Sequence, residues 1–153
     1  MPECHGFLSR FPGKAVLRES LKERLLGENR LDLYSCELPG HKLRVLIVDD
    51  EPSVCETLSM VSKAAGMAPR SFLSPHAALA HQEEEGYSLA FLDVNLPEMS
   101  GLELAQALKQ AGLVRDVVFM SGHGTFEDLV QAIKLGAYDY LRKPFSVSEV
   151  RLL

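Results

Sequence analysis

The stretch LRVLIVDDEP, residues 43–52, carries one charge in its first six residues and then sets Asp49, Asp50 and Glu51 side by side before Pro52. An apolar run of that length, closed by a turn, reads as a strand buried on both faces. Pro52 suits the first turn of a helix, where its missing N–H is no loss. Val54, Leu58, Val61 and Ala65 then recur on one helical face until Gly66 stops it. The stretch is thus the joint between a strand and a helix, and it carries adjacent like charges that repel unless something positive sits among them.

The same alternation continues outward. Short apolar runs lie at 68–73 (APRSFL), 88–94 (SLAFLDV), 116–120 (DVVFM) and 138–142 (YDYLR). Helical patterns separate them: one over about 75–84, and one after Ser100-Gly101 with Leu102, Leu104, Ala105 and Leu108 as its apolar side. A third follows Thr125, an N-cap with Asp128 three residues on, and ends at Gly136. Strand–helix alternation with short connections predicts an α/β domain, a parallel sheet covered by helices on both faces. Right-handed crossovers leave few topologies for it.

Residues 1–42 read differently and form an extension to the main domain at 43–153. KAVLRESLKERLLGE (14–28) places Leu17, Leu21 and Leu25 four residues apart, which predicts a helix over about 14–27. LYSCELPGHK (33–42) reads as a linker turning at Pro39-Gly40. Two roles stay open for the helix: resting on the main domain, or pairing with a second copy.

Composition narrows the function. No stretch approaches the roughly 18–20 apolar residues that span a bilayer, and the N-terminus lacks an apolar secretion segment. Three cysteines at unrelated spacings make no disulfide framework and point to a reducing, cytoplasmic compartment. Cys4 and His5 with Cys36 and His41 match no compact zinc pattern. Residues 43–153 hold nine Lys/Arg against fifteen Asp/Glu, whereas residues 1–42 hold seven against six. With no basic stripe, direct nucleic-acid binding by this chain is not expected, and the acidic domain suits a cation.

In an open parallel sheet, ligands bind at the carboxyl ends of the strands, where strand order reverses. The first strand delivers Asp49, Asp50 and Glu51 there. The third delivers Asp93 and the loop from Val94 to Glu98, the fourth Ser121, the fifth Lys143. Carboxylate oxygens suit Mg²⁺, which polarises a phosphoryl group, and one carboxylate can then attack phosphorus to give an aspartyl phosphate. Lys143 would balance charge on the phosphoryl oxygens while Ser121 donates to them. Taken singly, Asp49 or Asp50 is a helix cap, Lys143 a solvated charge, Ser121 and Asn95 loop residues, and Glu51 a rim residue serving the helix N-terminus. Their joint arrival at successive strand ends makes the difference.

With those residues in place, VLIVDDEP (45–52), LAFLDVNLPEMSGLEL (89–104) and VVFMSGHGTFEDLVQAIKLGAYDYLRKPF (117–145) resemble the receiver domain of bacterial two-component response regulators. The last stretch resembles the receivers of enhancer-binding transcription activators in particular. The resemblance implies a flavodoxin-like, doubly wound five-stranded sheet of order 2-1-3-4-5, and phosphotransfer from a sensor histidine kinase. By it, Asp93 matches the phosphoacceptor. Asp50 matches the direct Mg²⁺ ligand, Asp49 its neighbour acting through water, and Asn95 a backbone-carbonyl ligand. Ser121 matches the switch hydroxyl, Lys143 the lysine, and Tyr140 an aromatic switch. Without the family, Tyr140 reads as a half-buried strand residue. The resemblance implies a switch acting on an output domain or partner protein, rather than an enzyme that turns over external substrate.

Two departures set further expectations. Forty-two residues precede the first strand, and the fifth helix, beginning near Ser146 or Ser148, has only SVSEVRLL to build from. Losing three or four buried apolar side chains at ~1.5–3 kcal/mol each would rival a small domain's net stability. Either the 14–27 helix covers that flank, or the chain is a fragment cut within its fifth helix; both leave a fourth-and-fifth-helix homodimer open. Two other function classes remain for comparison. A haloacid-dehalogenase-type phosphatase needs an acid two residues after its nucleophile, where this chain has Asn95. An interaction module without phosphorylation would not need the acids, hydroxyl and lysine together.

Overall fold

In the computed structural model, which describes residues 42–81 and 86–153, the five apolar runs become five strands. In chain order the elements are β1 (Arg44–Val48), α1 (Pro52–Ala64), β2 (Ala68–Phe72), α2 (Pro75–Ala80), β3 (Tyr87–Asp93), α3 (Gly101–Gln110), β4 (Val114–Ser121), α4 (Phe126–Lys134), β5 (Asp139–Arg142) and α5 (Val147–Arg151). The sheet runs β2-β1-β3-β4-β5 with every pair parallel, the order expected. β3 is central, and all seven of its residues are buried.

Successive residues of a strand point to opposite faces, and the core divides accordingly. Val45, Ile47, Leu89, Phe91, Val118 and Met120 pack on one side with Leu58 and Val61 of α1 and Val150 of α5. Leu46, Val48, Ala90, Leu92, Val117 and Phe119 pack on the other with Leu104, Ala105 and Leu108 of α3 and Ala132 of α4. That two-sided burial is why the strand runs show no clean polar alternation.

Helix starts follow their caps. Pro52 sits in the first turn of α1. Capping boxes open α3 (Ser100 with Glu103), α4 (Thr125 with Asp128) and α5 (Ser146 with Glu149). Gly66 and Gly136, at φ +76° and +71°, end α1 and α4 in the left-handed conformation that glycine adopts without strain.

Some boundaries differ from expectation. β4 begins at Val114 rather than Asp116, because Arg115 Nε and Asp116 Oδ2 pair at 2.8 Å and let two charged residues lie in a strand. The inward face of α1 uses Cys55 with Leu58 and Val61, while Val54 and Ala65 are only partly buried. α2 is described to Ala80, and residues 82–85 fall outside the described range, as do the predicted helix over 14–27 and its linker up to residue 41. The α5 flank is better filled than its length suggested. Val150 and Leu153 are 1% and 7% exposed, Val147 packs against the same cluster, and the Tyr138 hydroxyl donates to the Leu153 carbonyl at 3.0 Å.

Candidate functional site

Register brings the site together. Val48 pairs with Leu92, so the next residues, Asp49 and Asp93, leave their strands side by side. Asp93 pairs with Met120 and Ser121 with Arg142, so Ser121 and Lys143 follow in step along the same sheet edge. The Lys143 N–H donates to the Ser121 carbonyl at 2.9 Å, and the Lys143–Pro144 peptide bond is cis. Gly101 lets α3 begin against the acidic loop: a Cβ there would overlap the Asp93 carbonyl oxygen.

Asp49 is 0% exposed, Asp93 4% and Ser121 1%, whereas Asp50 is exposed. One carboxylate oxygen from each of Asp49, Asp50 and Asp93 lies within 4.8 Å of the other two. Lys143 Nζ answers that crowding, at 2.7 Å from Asp49 Oδ2, 3.4 Å from Asp93 Oδ2 and 3.2 Å from Glu51 Oε1. Asp49 Oδ1 accepts from the Glu51 N–H at 2.9 Å. Asp49 Oδ2 faces the ammonium as an ion pair without hydrogen-bond geometry.

Burial pushes the Asp49 carboxyl above its ordinary pKa, against the opposing pull of Lys143 and the Glu51 N–H; the Asp93 charge adds to the rise. Burial works to lower the Lys143 pKa, but the Asp49, Asp93 and Glu51 carboxylates outweigh it and hold the ammonium above its usual range. Beneath the site, burial and the Asp49 charge push the Cys55 thiol up to about 11, which leaves it an inert packing residue.

Ser121 Oγ is framed by donors. It accepts from the Asn95 side-chain amide at 3.1 Å and from the His123 N–H at 3.2 Å. The Asn95 backbone N–H donates to Asp93 Oδ1 at 3.3 Å. Tyr140 is partly buried against the α3 side of the core. Its hydroxyl rests over Gly124, where a Cβ would overlap it and would lie 3.0 Å from Ser121 Oγ.

Asp49, Asp50, Asp93, Asn95, Ser121 and Lys143 therefore meet at one sheet edge, with Tyr140 beside Ser121. Glu51 departs from expectation. It is the N-cap residue of α1 but makes no side-chain cap bond, and its carboxylate turns instead to Lys143. Sequence reading also missed the Asn95 amide and the clearance at Gly124; no spacing signals either, because each contact joins segments distant in the chain. Three hard oxygen donors this close fit a divalent cation such as Mg²⁺. The arrangement can neutralise a cation, present one Asp93 oxygen to an electrophile, and meet the resulting anion with an ammonium and a hydroxyl.

Known proteins resemble the chain in sequence and in fold. Residues 45–152 match the family model described as the response regulator receiver domain. The response regulator protein TodT of Pseudomonas putida is 37% identical over 106 residues, covering 69% of this chain and 47% of that protein. A putative NtrX-like response regulator of Rickettsia bellii is 38% identical over 111 residues, covering 71% of this chain and 23% of that protein. The chain thus spans about half or less of the length of these relatives. Among solved structures, a Burkholderia pseudomallei response regulator with a phosphorylated aspartic acid, calcium ion and citrate superposes with a TM-score of 0.64 at 28% identity, over 71% of this chain and 64% of that one. By the family match over 45–152, the flavodoxin-like strand order and these relatives, the chain belongs to the response regulator receiver domains, the phosphorylation-controlled switches of two-component signalling.

Proposed function

We propose that Asp93 takes a phosphoryl group from the phosphohistidine of a sensor kinase. An Asp93 carboxylate oxygen attacks phosphorus, the O–P bond forms as the P–N bond breaks, and the leaving imidazole takes up a proton. Asp50 and Asp93 would hold Mg²⁺ directly with the Asn95 backbone carbonyl, and Asp49 through water. When bound, the ion neutralises phosphoryl charge and orients the group for in-line attack. Lys143 balances the remaining charge, and Ser121 donates to a phosphoryl oxygen. The observation that carries this reading is the position of Lys143 Nζ, shared between Asp49 and Asp93 at 2.7 and 3.4 Å, where an anion on Asp93 would meet it.

Switching then follows from Ser121. As its hydroxyl moves toward the phosphoryl group, Tyr140, whose own hydroxyl lies beside it over Gly124, changes the space it fills. The effect reaches the α4–β5 face, where Phe126, Leu129 and Ile133 are 75%, 36% and 66% exposed at helical spacing. That face is the surface offered to an output domain, a partner protein or a second copy. Transcription regulation would be exerted by such an output, as in the receivers of enhancer-binding activators, with no direct nucleic-acid contact by this chain. Covalent turnover is confined to Asp93 itself. No described helix is long and apolar enough to cross a membrane, and a cytoplasmic location accords with a kinase partner.

Intact-mass measurement after incubation with acetyl phosphate and Mg²⁺ tests the reading. One phosphoryl adduct, absent from Asp93→Asn, is expected. No adduct would favour an interaction module, and release of phosphate from external esters would favour a phosphatase.

A further inference from the structure

We propose that the Asn95 side chain is a positioning residue that restrains Ser121, and that release of its amide from the hydroxyl is a step in switching. The proposal rests on Asp93 being the phosphoacceptor. Asn95 touches both ends of the device: its backbone N–H donates to Asp93 Oδ1 at 3.3 Å, and its side-chain amide donates to Ser121 Oγ at 3.1 Å.

A serine hydroxyl has one proton to give and two acceptor positions. Here the Asn95 amide and the His123 N–H, the latter at 3.2 Å, occupy both acceptor positions. With Ser121 only 1% exposed, water cannot readily replace either donor in place. The two bonds differ in what they resist. The His123 bond joins residues two apart and can travel with its own loop. The Asn95 bond spans 26 residues and ties the end of β4 to the β3–α3 loop. On this proposal, movement of the hydroxyl toward a phosphoryl group on Asp93 stretches or breaks the Asn95 bond.

The cost of breaking it is kept small. Asn95 is exposed, so the freed amide finds water at once, whereas Ser121 gains a phosphoryl acceptor for its proton. This makes Asn95 a graded brake on the resting conformation. It is a role for the side chain, separate from the backbone carbonyl proposed as a cation ligand.

The test uses the full chain, saturating Mg²⁺ and beryllofluoride as the phosphoryl mimic. Asn95→Ala should tighten beryllofluoride binding about two- to tenfold, the factor one net hydrogen bond supplies. The amide shifts of Gly122 to Gly124 in the ligand-free variant should move toward their bound-state values. In a Ser121→Ala background the same substitution should change neither quantity. Unchanged or weaker binding by Asn95→Ala, or an equal effect without the serine hydroxyl, would overturn the restraint alone. A wild-type chain that binds no beryllofluoride would overturn the phosphoacceptor reading and the restraint with it.

Discussion

Replacing Asp50 by Asn should make the domain more stable in the absence of a divalent cation and remove its response to Mg²⁺. The amide keeps the shape of the side chain and deletes one charge from a cluster in which one oxygen of each carboxylate lies within 4.8 Å of the others. Two unit charges at that separation repel by about 0.9 kcal/mol at the dielectric constant of water and about 3.5 kcal/mol at an effective value of 20. Asp50 is exposed, so the lower figure governs its repulsion with Asp49 and with Asp93. The Lys143 ammonium, which sits between the Asp49 and Asp93 carboxylates, also attracts Asp50 at longer range, and losing that attraction offsets part of those two terms. The net gain is about 1 kcal/mol, or roughly 4 °C in Tm for a domain of this size. Wild type, at a Mg²⁺ concentration ten times its Kd, should gain about 1.4 kcal/mol by linkage, and the variant nothing. Urea unfolding in EDTA and then across a Mg²⁺ titration, at low and constant ionic strength, reads both effects. A variant less stable than wild type in EDTA, or one sharing the wild-type Mg²⁺ gain, would refute the reasoning.

Other substitutions probe the rest of the pocket. Lys143→Met strands the fully buried Asp49 carboxylate and should cost about 2–3 kcal/mol at neutral pH, below the full range for a broken buried pair because the site opens to water. Burial already raises the Asp49 pKa and Lys143 holds it down, so loss of the lysine raises it further. A carboxyl with a raised folded pKa stabilises below its unfolded pKa and loses that stability as pH rises through the folded value. The penalty should therefore be smallest near about pH 4 and grow toward neutrality; a difference that stays flat in urea unfolding across that window would contradict it. Gly124→Ala places a methyl against the Tyr140 hydroxyl and should displace the ring, seen as changed Tyr140 aromatic shifts; unaltered shifts would count against the contact. Phe126→Ser with Ile133→Ser should leave stability within about 0.5 kcal/mol per site, since both side chains are largely exposed. In wild type, hydrogen exchange in α4 and β5 should change on beryllofluoride binding, and an unchanged pattern there would remove that face from the switch.

Much of this was legible in the chain because burial and chemistry coincide. The apolar runs of β1 and β3 are buried on both faces, and each ends in an acid, so one reading places both strand and site. The boundary at β4 was harder: Val114 and Arg115 lay outside the run read at 116–120, and Arg115 joins the strand with its guanidinium paired to Asp116 at 2.8 Å. Glu51 illustrates the larger limit. As an acid before Pro52 it suggested a service to the helix N-terminus, yet its carboxylate meets a lysine 92 residues away. The Asn95 amide on Ser121 and the Tyr140 hydroxyl over Gly124 are likewise products of register, and local pattern carries no trace of them. α5 shows packing outdoing length, because Val147, Val150 and Leu153 at successive three-residue steps seat a five-residue helix in the core.

The central claim is that this pocket directs a phosphoryl group to one carboxylate. Borohydride reduces an aspartyl phosphate to homoserine, so treating the acetyl-phosphate-loaded chain and mapping its peptides marks the modified residue. The account predicts homoserine at position 93 in the presence of Mg²⁺ and its loss on addition of EDTA or in Lys143→Ala. Homoserine at position 49 or 50, or equal modification at 93 without a divalent cation, would contradict it.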